Sequence, residues 1–288
     1  MLWTDRAGRF SWLKSATLLI AVLPGLWVAY SWANDDLGAK PLTEAIHQIG
    51  IWAVRFLLAT LAIRPARRVL NWPKIMIVRR MLGVTTMVYA LIHLSLYIFQ
   101  QHFDLRFVAS EILLRFYLTI GFVALLGLVA LGVTSTDGWI KRLGSKRWQW
   151  LHKSVYLIAI LGLYHFALQL KIDVTQAVLM TGLFVWLMGY RVIEDWRWPV
   201  NLVSLLTLSV LAALATAAIE AAWYAIGTGI QSSLILQANL DFSTDIRPAW
   251  WVLAAGLVAT LIYLVRSLLK SRSRRVAPRM RGPVADQT

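Results

Sequence analysis

The chain has 288 residues, of which 59% are hydrophobic, and its mean hydropathy of +0.63 is too high for a water-soluble domain. The net charge of +15 would suggest nucleic-acid binding in a soluble protein, but here the basic residues lie mainly between apolar segments. We therefore predict no nucleic-acid partner. The absence of cysteine excludes thiol redox chemistry, iron–sulfur clusters and thiolate-ligated haem as intrinsic activities.

Eight apolar segments are each long enough to cross a hydrocarbon core of roughly 30 Å as a helix. Backbone polar groups in lipid must be satisfied within the segment, so the fold class predicted is an all-α integral membrane protein. The predicted spans are residues 15–33, 44–63, 81–99, 112–133, 151–170, 174–193, 201–226 and 249–269. The predicted connections include a basic loop after span two, loops at 100–110, 134–150 and 227–248, and a tight turn at 171–173.

The composition changes after the charged aromatic break at residues 194–199, because the last two spans contain no histidine. We predict a six-helix core over residues 1–193, an appended transmembrane hairpin over 194–269 and a basic tail over 270–288. Lys and Arg concentrate before span one, after spans two and four, and in the tail. The positive-inside rule then places both termini in the cytoplasm.

Three histidines lie within two spans that run in the same direction. His93 in span three and His165 in span five lie at similar depth, so their imidazoles can bind one iron from both sides, as in electron-transfer haem. His152 precedes His165 by thirteen residues, which places the two about 140° apart around an ideal helix. A second haem on the same face would need a distorted or rotated helix, and the position fourteen residues before His93 is Arg79. The alternative for each histidine is a hydrogen bond to a neighbouring helix.

Four arginines are candidate partners for an anionic group. Arg55 lies near the middle of span two, where a charge needs a partner such as a haem propionate, a quinone or a carboxylate. Arg115, near the outer end of span four, either binds a propionate or extends to the membrane interface. Arg79 and Arg80, just before span three, either set the topology or bind a propionate or a flavin phosphate. His47 is interpreted as interfacial.

The segments that carry these residues resemble the MsrQ family, also called YedZ, of the ferric-reductase-like transmembrane superfamily. The similar segments are LGAKPLTEAIHQIG, FLLATLAIRPARR, RRMLGVTTMVYALIHLSLY and TSTDGWIKRLGSKRWQWLHKSVYLIAILGLYHF, within roughly residues 11–191. The resemblance implies a ferric-reductase-like six-helix core with haem b ligated by His93 and His165, and His152 as a further family histidine. The hairpin at 194–269 departs from the family pattern.

The resemblance also implies a role and its partners. The chain would pass electrons from a cytoplasmic flavin reductase or from membrane quinol to a periplasmic molybdopterin-containing methionine sulfoxide reductase of the MsrP type. It would sit in the bacterial inner membrane as an electron-transfer subunit rather than as the catalytic one. The chain has no GxGxxG motif after a strand, so the donor must be external.

The cofactor set and the acceptor stay open at this point. Related ferric reductases have a second, inner histidine pair, and Arg79 stands here in place of its third-span member. The prediction is therefore one or two haems b, with FMN as a further candidate at the inner site. The alternative functions are a ferric reductase or quinol-linked cytochrome with another acceptor, and a non-redox transporter whose histidines line a proton path.

Overall fold

The computed structural model describes residues 3–4, 8–170, 173–243 and 245–276, with the backbone alone for 271–276. Within these ranges eight helical segments are long and apolar enough to cross a membrane, which confirms the predicted all-α membrane fold. The helices are α1 (Trp12–Ala33), α2 (Pro41–Val69), α3 (Arg79–Gln100), α4 (Leu105–Leu114), α5 (Phe116–Val133), α6 (Asp137–Leu143), α7 (Ser145–Lys153), α8 (Val155–Gln169), α9 (Thr175–Asp195), α10 (Leu202–Thr228), α11 (Ser232–Ala238) and α12 (Pro248–Val276). Residues 171–172 of the turn predicted at 171–173, and residues 277–288 of the basic tail predicted at 270–288, lie outside the described residues.

Several helix boundaries differ from the prediction. The predicted loops contain the short helices α4, α6, α7 and α11, which are too short or too polar to register as apolar spans. Side-chain caps explain two of them, because Asp104 accepts the Phe107 N–H at 2.9 Å and Thr136 accepts the Trp139 N–H at 3.4 Å. The predicted span 112–133 is interrupted at Arg115, whose extended backbone separates α4 from α5.

The α2 helix continues past its predicted end at residue 63, through Pro65 and into the predicted basic loop. The apolar run marks the depth of the lipid, whereas the helix itself is stabilised further by ion pairs. Arg64 Nε lies 2.6 Å from Glu194 Oε2, and Arg68 Nη1 lies 3.2 Å from Glu194 Oε1. These pairs tie the end of α2 to the end of α9.

The bundle has two ends of different chemistry. We call the end with the C-terminus of α2, the α6–α7 connection and the C-terminus of α9 the basic face, and the other end the opposite face. On the basic face Arg80 pairs with Asp137 at 2.8 Å. On the opposite face Gln100 donates to Thr43 Oγ1 at 2.8 Å, which joins the end of α3 to the start of α2. Helices α3 and α8 therefore run in the same direction, as predicted.

The core is built from two main helix pairs, α2 with α3 and α5 with α8. Helix α1 packs on the first pair at Pro24, where Tyr89 reaches the α1 backbone. The Tyr89 hydroxyl accepts the Gly25 N–H and donates to the Ala21 carbonyl, both at 2.8 Å. A side chain from a neighbouring helix thus satisfies backbone groups beside a proline within the membrane.

Helices α10 and α12 pair with each other and pack on α9. Small and hydroxyl residues line this interface and let the helices approach closely. A Cβ at Gly256, for example, would lie within 3 Å of atoms of Ser209 and Trp186. The Trp186 indole donates to Ser209 Oγ at 3.2 Å. The hairpin lies against the core through α9, and the domain division at residue 194 stays a prediction.

A buried carboxylate organises the opposite-face end of this hairpin. Glu220 on α10 is fully buried, and its two carboxylate oxygens accept hydrogen bonds from Arg247 at 3.2 Å and Asn239 at 3.1 Å. Trp250 donates to the Asn239 carbonyl at 2.6 Å. The connection between α10 and α12 thus encloses the Glu220 carboxylate.

We predict that Arg247→Ala lowers the free energy of unfolding by about 3 kcal/mol, because the buried Glu220 carboxylate loses its charged partner and keeps only the neutral Asn239 amide. Detergent-solubilised protein unfolded by heat and followed by tryptophan fluorescence provides the measurement. The double variant Glu220→Leu with Arg247→Leu is the control and is expected to recover most of the loss. Equal instability of the single and double variants would contradict this account of the cluster.

Candidate functional site

A cavity of about 450 Å³ opens between α2, α3, α4, α5 and α8 towards the opposite face. Its volume lies within the range of about 300–1,000 Å³ that is usual for cofactor sites. Towards the middle of the bundle the wall is apolar, with Leu57, Leu125 and Ile158. Such a wall excludes water from whatever the cavity holds.

Two histidines line the cavity from different helix pairs. His93 on α3 donates from Nδ1 to the Ile46 carbonyl on α2, and His165 on α8 donates from Nδ1 to the Tyr117 carbonyl on α5, each at 2.8 Å. A carbonyl oxygen can only accept, so both rings carry their proton on Nδ1. In the neutral imidazole the Nε2 lone pair is then available to bind a metal.

The two rings have the spacing of axial ligands. Their centroids are 6.4 Å apart and their planes are inclined at 86°. Two metal–nitrogen bonds of about 2 Å, with about 1 Å from each nitrogen to its ring centre, give a separation of about 6 Å. The structure therefore brings the His93 and His165 rings together at a separation that would admit one metal ion between them.

The donor set favours a metal that carries its own equatorial ligands. Among the described residues, no group of three or more His, Cys, Asp or Glu side chains could hold a bare metal ion. Two axial imidazoles in an apolar cavity instead fit an iron whose other four ligands come from a macrocycle. A haem meets both requirements, and its polar edge would face the mouth of the cavity.

The mouth of the cavity is polar. Arg115 pairs with Glu111 at 2.5 Å and contacts the Tyr117 hydroxyl at 3.2 Å, and its side chain is 52% exposed. The other polar residues at the mouth are Thr43, His47, Gln100, Gln101 and Gln169. These side chains can donate hydrogen bonds to the carboxylates of a bound group that extend out of the cavity at this face.

His152 lies apart from this cavity. Its Nδ1 is 3.1 Å from the Trp148 carbonyl of its own helix, and its Nε2 is 3.4 Å from Ser135 Oγ. The ring stacks on the Trp148 indole with centroids 3.9 Å apart. Helix α7 ends at Lys153 and α8 begins at Val155, so the helix is interrupted at Ser154, between His152 and His165. The sequence required a distortion only for a second haem on the same face, and that second site stays a prediction.

Three of the four candidate arginines do not line the cavity. The Arg55 guanidinium lies over the Trp52 ring at 4.6 Å, and Arg80 pairs with Asp137. Arg79 borders a second cavity of about 10 Å³ beside Glu194, which has room for about one water molecule. Of the four, the structure brings only Arg115 to the cavity with the histidine pair.

Sequence reasoning missed much of the mouth of the cavity. His47 was interpreted as interfacial, and the glutamines of α3 and α8 were not considered. The sequence did contain a signal for these residues. Gln100, Gln101 and Gln169 lie at the ends of their spans, on the side of the membrane that is nearer to the histidine pair. Polar amides at the ends of the helices that carry the histidines indicate the open end of a cofactor cavity.

Comparison with known proteins gives one family model and many relatives. The model described as "Ferric reductase like transmembrane component" matches residues 49–163, a range that includes His93 and His152. A protein of Rhodospirillum rubrum is 38% identical over 194 residues, which cover 67% of this chain and 91% of that protein. A protein of Azospira oryzae is 36% identical over 66% of this chain and 84% of its own length.

A third relative, from Xanthomonas euvesicatoria pv. vesicatoria, is 41% identical over 58% of this chain and 76% of its own length. All three bear the name "Protein-methionine-sulfoxide reductase heme-binding subunit MsrQ". No solved structure gives a significant match to the chain.

Filling the cavity is expected to abolish cofactor binding without unfolding the chain. Gly162 lines the cavity, and a Cβ there would meet no atom within 4 Å. We predict that Gly162→Phe places its ring in the cavity, so that chromophore per chain falls to near zero while the unfolding temperature of the apoprotein is kept. Gly138→Leu is the control, since Gly138 also has open space but lies on α6, away from the cavity. Full chromophore content in Gly162→Phe would contradict the assignment of the cavity.

Proposed function

Because the chain belongs to the MsrQ family of membrane subunits, we propose that it is a haem-binding electron-transfer subunit of a methionine sulfoxide reductase system. The observation that carries the proposal is the His93–His165 pair, with both Nδ1 atoms bonded to backbone carbonyls and the rings 6.4 Å apart. When bound, haem b supplies one-electron redox chemistry at a potential that its ligands and its burial set.

The chain's own residues have separable roles in this proposal. His93 and His165 would hold the iron, and the carbonyls of Ile46 and Tyr117 would fix the tautomer and raise the basicity of each ligand. The apolar wall would exclude water from the bound group. Arg115 and the amides at the mouth would bind the propionates.

The proposal assigns one haem to each chain. The cavity that contains the histidine pair has a suitable volume, whereas the cavity beside Arg79 has room for about one water molecule. His152 contacts Trp148 and Ser135, and His152 is not among the residues that line either of these cavities. Its role, and FMN at the basic face, stay predictions.

The orientation follows from the distribution of charge. We propose that the basic face is cytoplasmic in the bacterial inner membrane, so the haem lies near the periplasmic face. Electrons would enter from a cytoplasmic flavin reductase or from quinol and leave at the mouth of the cavity. The acceptor would be a periplasmic molybdopterin reductase of the MsrP type. Ferric chelates are the second candidate acceptor, because the matching family model is described as ferric-reductase-like.

The identity of the electron acceptor can be tested in membrane vesicles that contain the chain with its haem reduced. Adding an MsrP-type reductase with methionine sulfoxide is expected to reoxidise the chain rapidly, as followed by its absorbance. Ferric citrate without the reductase is expected to reoxidise the chain far more slowly. Fast reoxidation by ferric citrate alone, with no response to the reductase, would favour the ferric reductase instead.

The ligand assignment gives a prediction for four variants. His93→Ala and His165→Ala are each expected to lower haem per chain by at least about tenfold, since each removes an axial ligand. His152→Ala is expected to retain the haem. His102→Asn is the control, because His102 is exposed in a turn with φ of 52° and asparagine tolerates that backbone conformation.

Haem is quantified on detergent-purified protein of each variant. Retention of haem in both His93→Ala and His165→Ala would overturn the assignment. Loss of haem in His152→Ala alone would move the site to the basic face.

A further inference from the structure

Two glycines lie directly against the paired histidines. Gly50 on α2 and Gly121 on α5 each come four residues after the carbonyl that accepts the histidine N–H. A Cβ at Gly121 would lie 2.6 Å from Nδ1 and 2.7 Å from Cε1 of His165. A Cβ at Gly50 would lie 2.9 Å from Nδ1 and 3.1 Å from Cε1 of His93.

Helix geometry explains why glycine is required at these two positions. Residues i and i+4 lie on the same helix face, and each Cα–Cβ bond tilts towards the N-terminus, over the preceding turn. A side chain at i+4 therefore covers the carbonyl of residue i. Only glycine leaves that carbonyl open to a ring from the next helix, and the same arrangement occurs in both helix pairs.

We propose that Gly50 and Gly121 are positioning residues for the two axial histidines. The missing Cβ lets each ring lie against the neighbouring helix, keeps its Nδ1 bond to the carbonyl and fixes its plane. Together the two contacts hold the ring planes at the observed 86°. This inference rests on the proposed function, because it concerns the ligands of the proposed haem.

The inclination of the rings has a spectroscopic consequence. In low-spin ferric haem, perpendicular axial imidazoles leave the two iron d orbitals that overlap with the rings nearly equal in energy. This gives a highly anisotropic electron paramagnetic resonance (EPR) signal, whereas parallel rings give an ordinary rhombic signal. The Nδ1 bond also makes the imidazole more basic, which favours ferric iron and lowers the reduction potential.

The test compares wild type with Gly121→Ala, Gly50→Ala and Gly83→Ala. Gly83 is the matched control, since it lies on α3 with His93, is not among the cavity residues, and a Cβ there would be 3.7 Å from Thr60 in ordinary contact. Each purified protein is examined by EPR of the ferric form, by haem content and by redox titration.

We expect the anisotropic signal in wild type and in Gly83→Ala. Gly121→Ala is expected to change to a rhombic or high-spin signal and a higher potential, because the displaced His165 ring loses its carbonyl. Gly50→Ala is expected to shift in the same direction by less, since its contacts are longer. If Gly121→Ala yields no folded protein, the milder Gly50→Ala decides the question.

The outcomes separate this inference from the proposed function. A wild-type protein with no low-spin haem signal would overturn the proposed function itself. A wild-type rhombic signal, or alanine variants with the wild-type signal and potential, would overturn the glycine assignment alone. An equal change in Gly83→Ala would likewise reject it, because a general effect of alanine in these helices would then be responsible.

Discussion

The site depends on two hydrogen bonds from imidazole Nδ1 atoms to helix carbonyls. Each acceptor carbonyl already has a place in its own helical ladder, but a carbonyl oxygen has two lone pairs and can accept a second bond. His93 and His165 thereby gain a fixed tautomer and a fixed orientation from backbone rather than from another titratable side chain. A backbone acceptor cannot change its charge with pH, so these two hydrogen bonds do not depend on the protonation of a neighbouring side chain.

The arrangement of helices makes these two hydrogen bonds possible. Each histidine helix packs beside the helix that supplies its acceptor, α3 with α2 and α8 with α5, and the cavity lies where the two pairs face each other. The hairpin of α10 and α12 packs on α9 and contributes no residue to the cavity. Under the proposed orientation the site is near the periplasmic face, which suits delivery of electrons to a partner there.

Depth in the membrane was readable from the sequence, whereas rotation about the helix axis was not. The shared depth of His93 and His165 follows from their distances to the span ends, because a helix rises by about 1.5 Å per residue. Arg55 lies near the middle of its span, as the sequence indicates, but its guanidinium faces Trp52 instead of the cavity. Rotation depends on packing between helices, which the apolar pattern of a fully hydrophobic span does not specify.

Other parts of the site depend on contacts between segments that are distant in sequence. Helix α4 covers the mouth of the cavity, yet most of it was predicted as a loop. Its last residues were merged with the next span, because the break at Arg115 is a matter of backbone conformation. Gly121 has no distinguishing sequence context, and its contact with His165 appears only once α5 and α8 are packed. His47 and the glutamines at the helix ends likewise line the cavity only because the helices that carry them pack together.

The central claim is that two histidines bind one haem in this cavity. The most direct measurement is a reduced-minus-oxidised visible spectrum of the purified chain, with haem quantified per polypeptide. The account predicts a sharp b-type α-band and one haem per chain. A colourless protein would contradict haem binding outright, and two haems per chain would contradict the assignment of a single site.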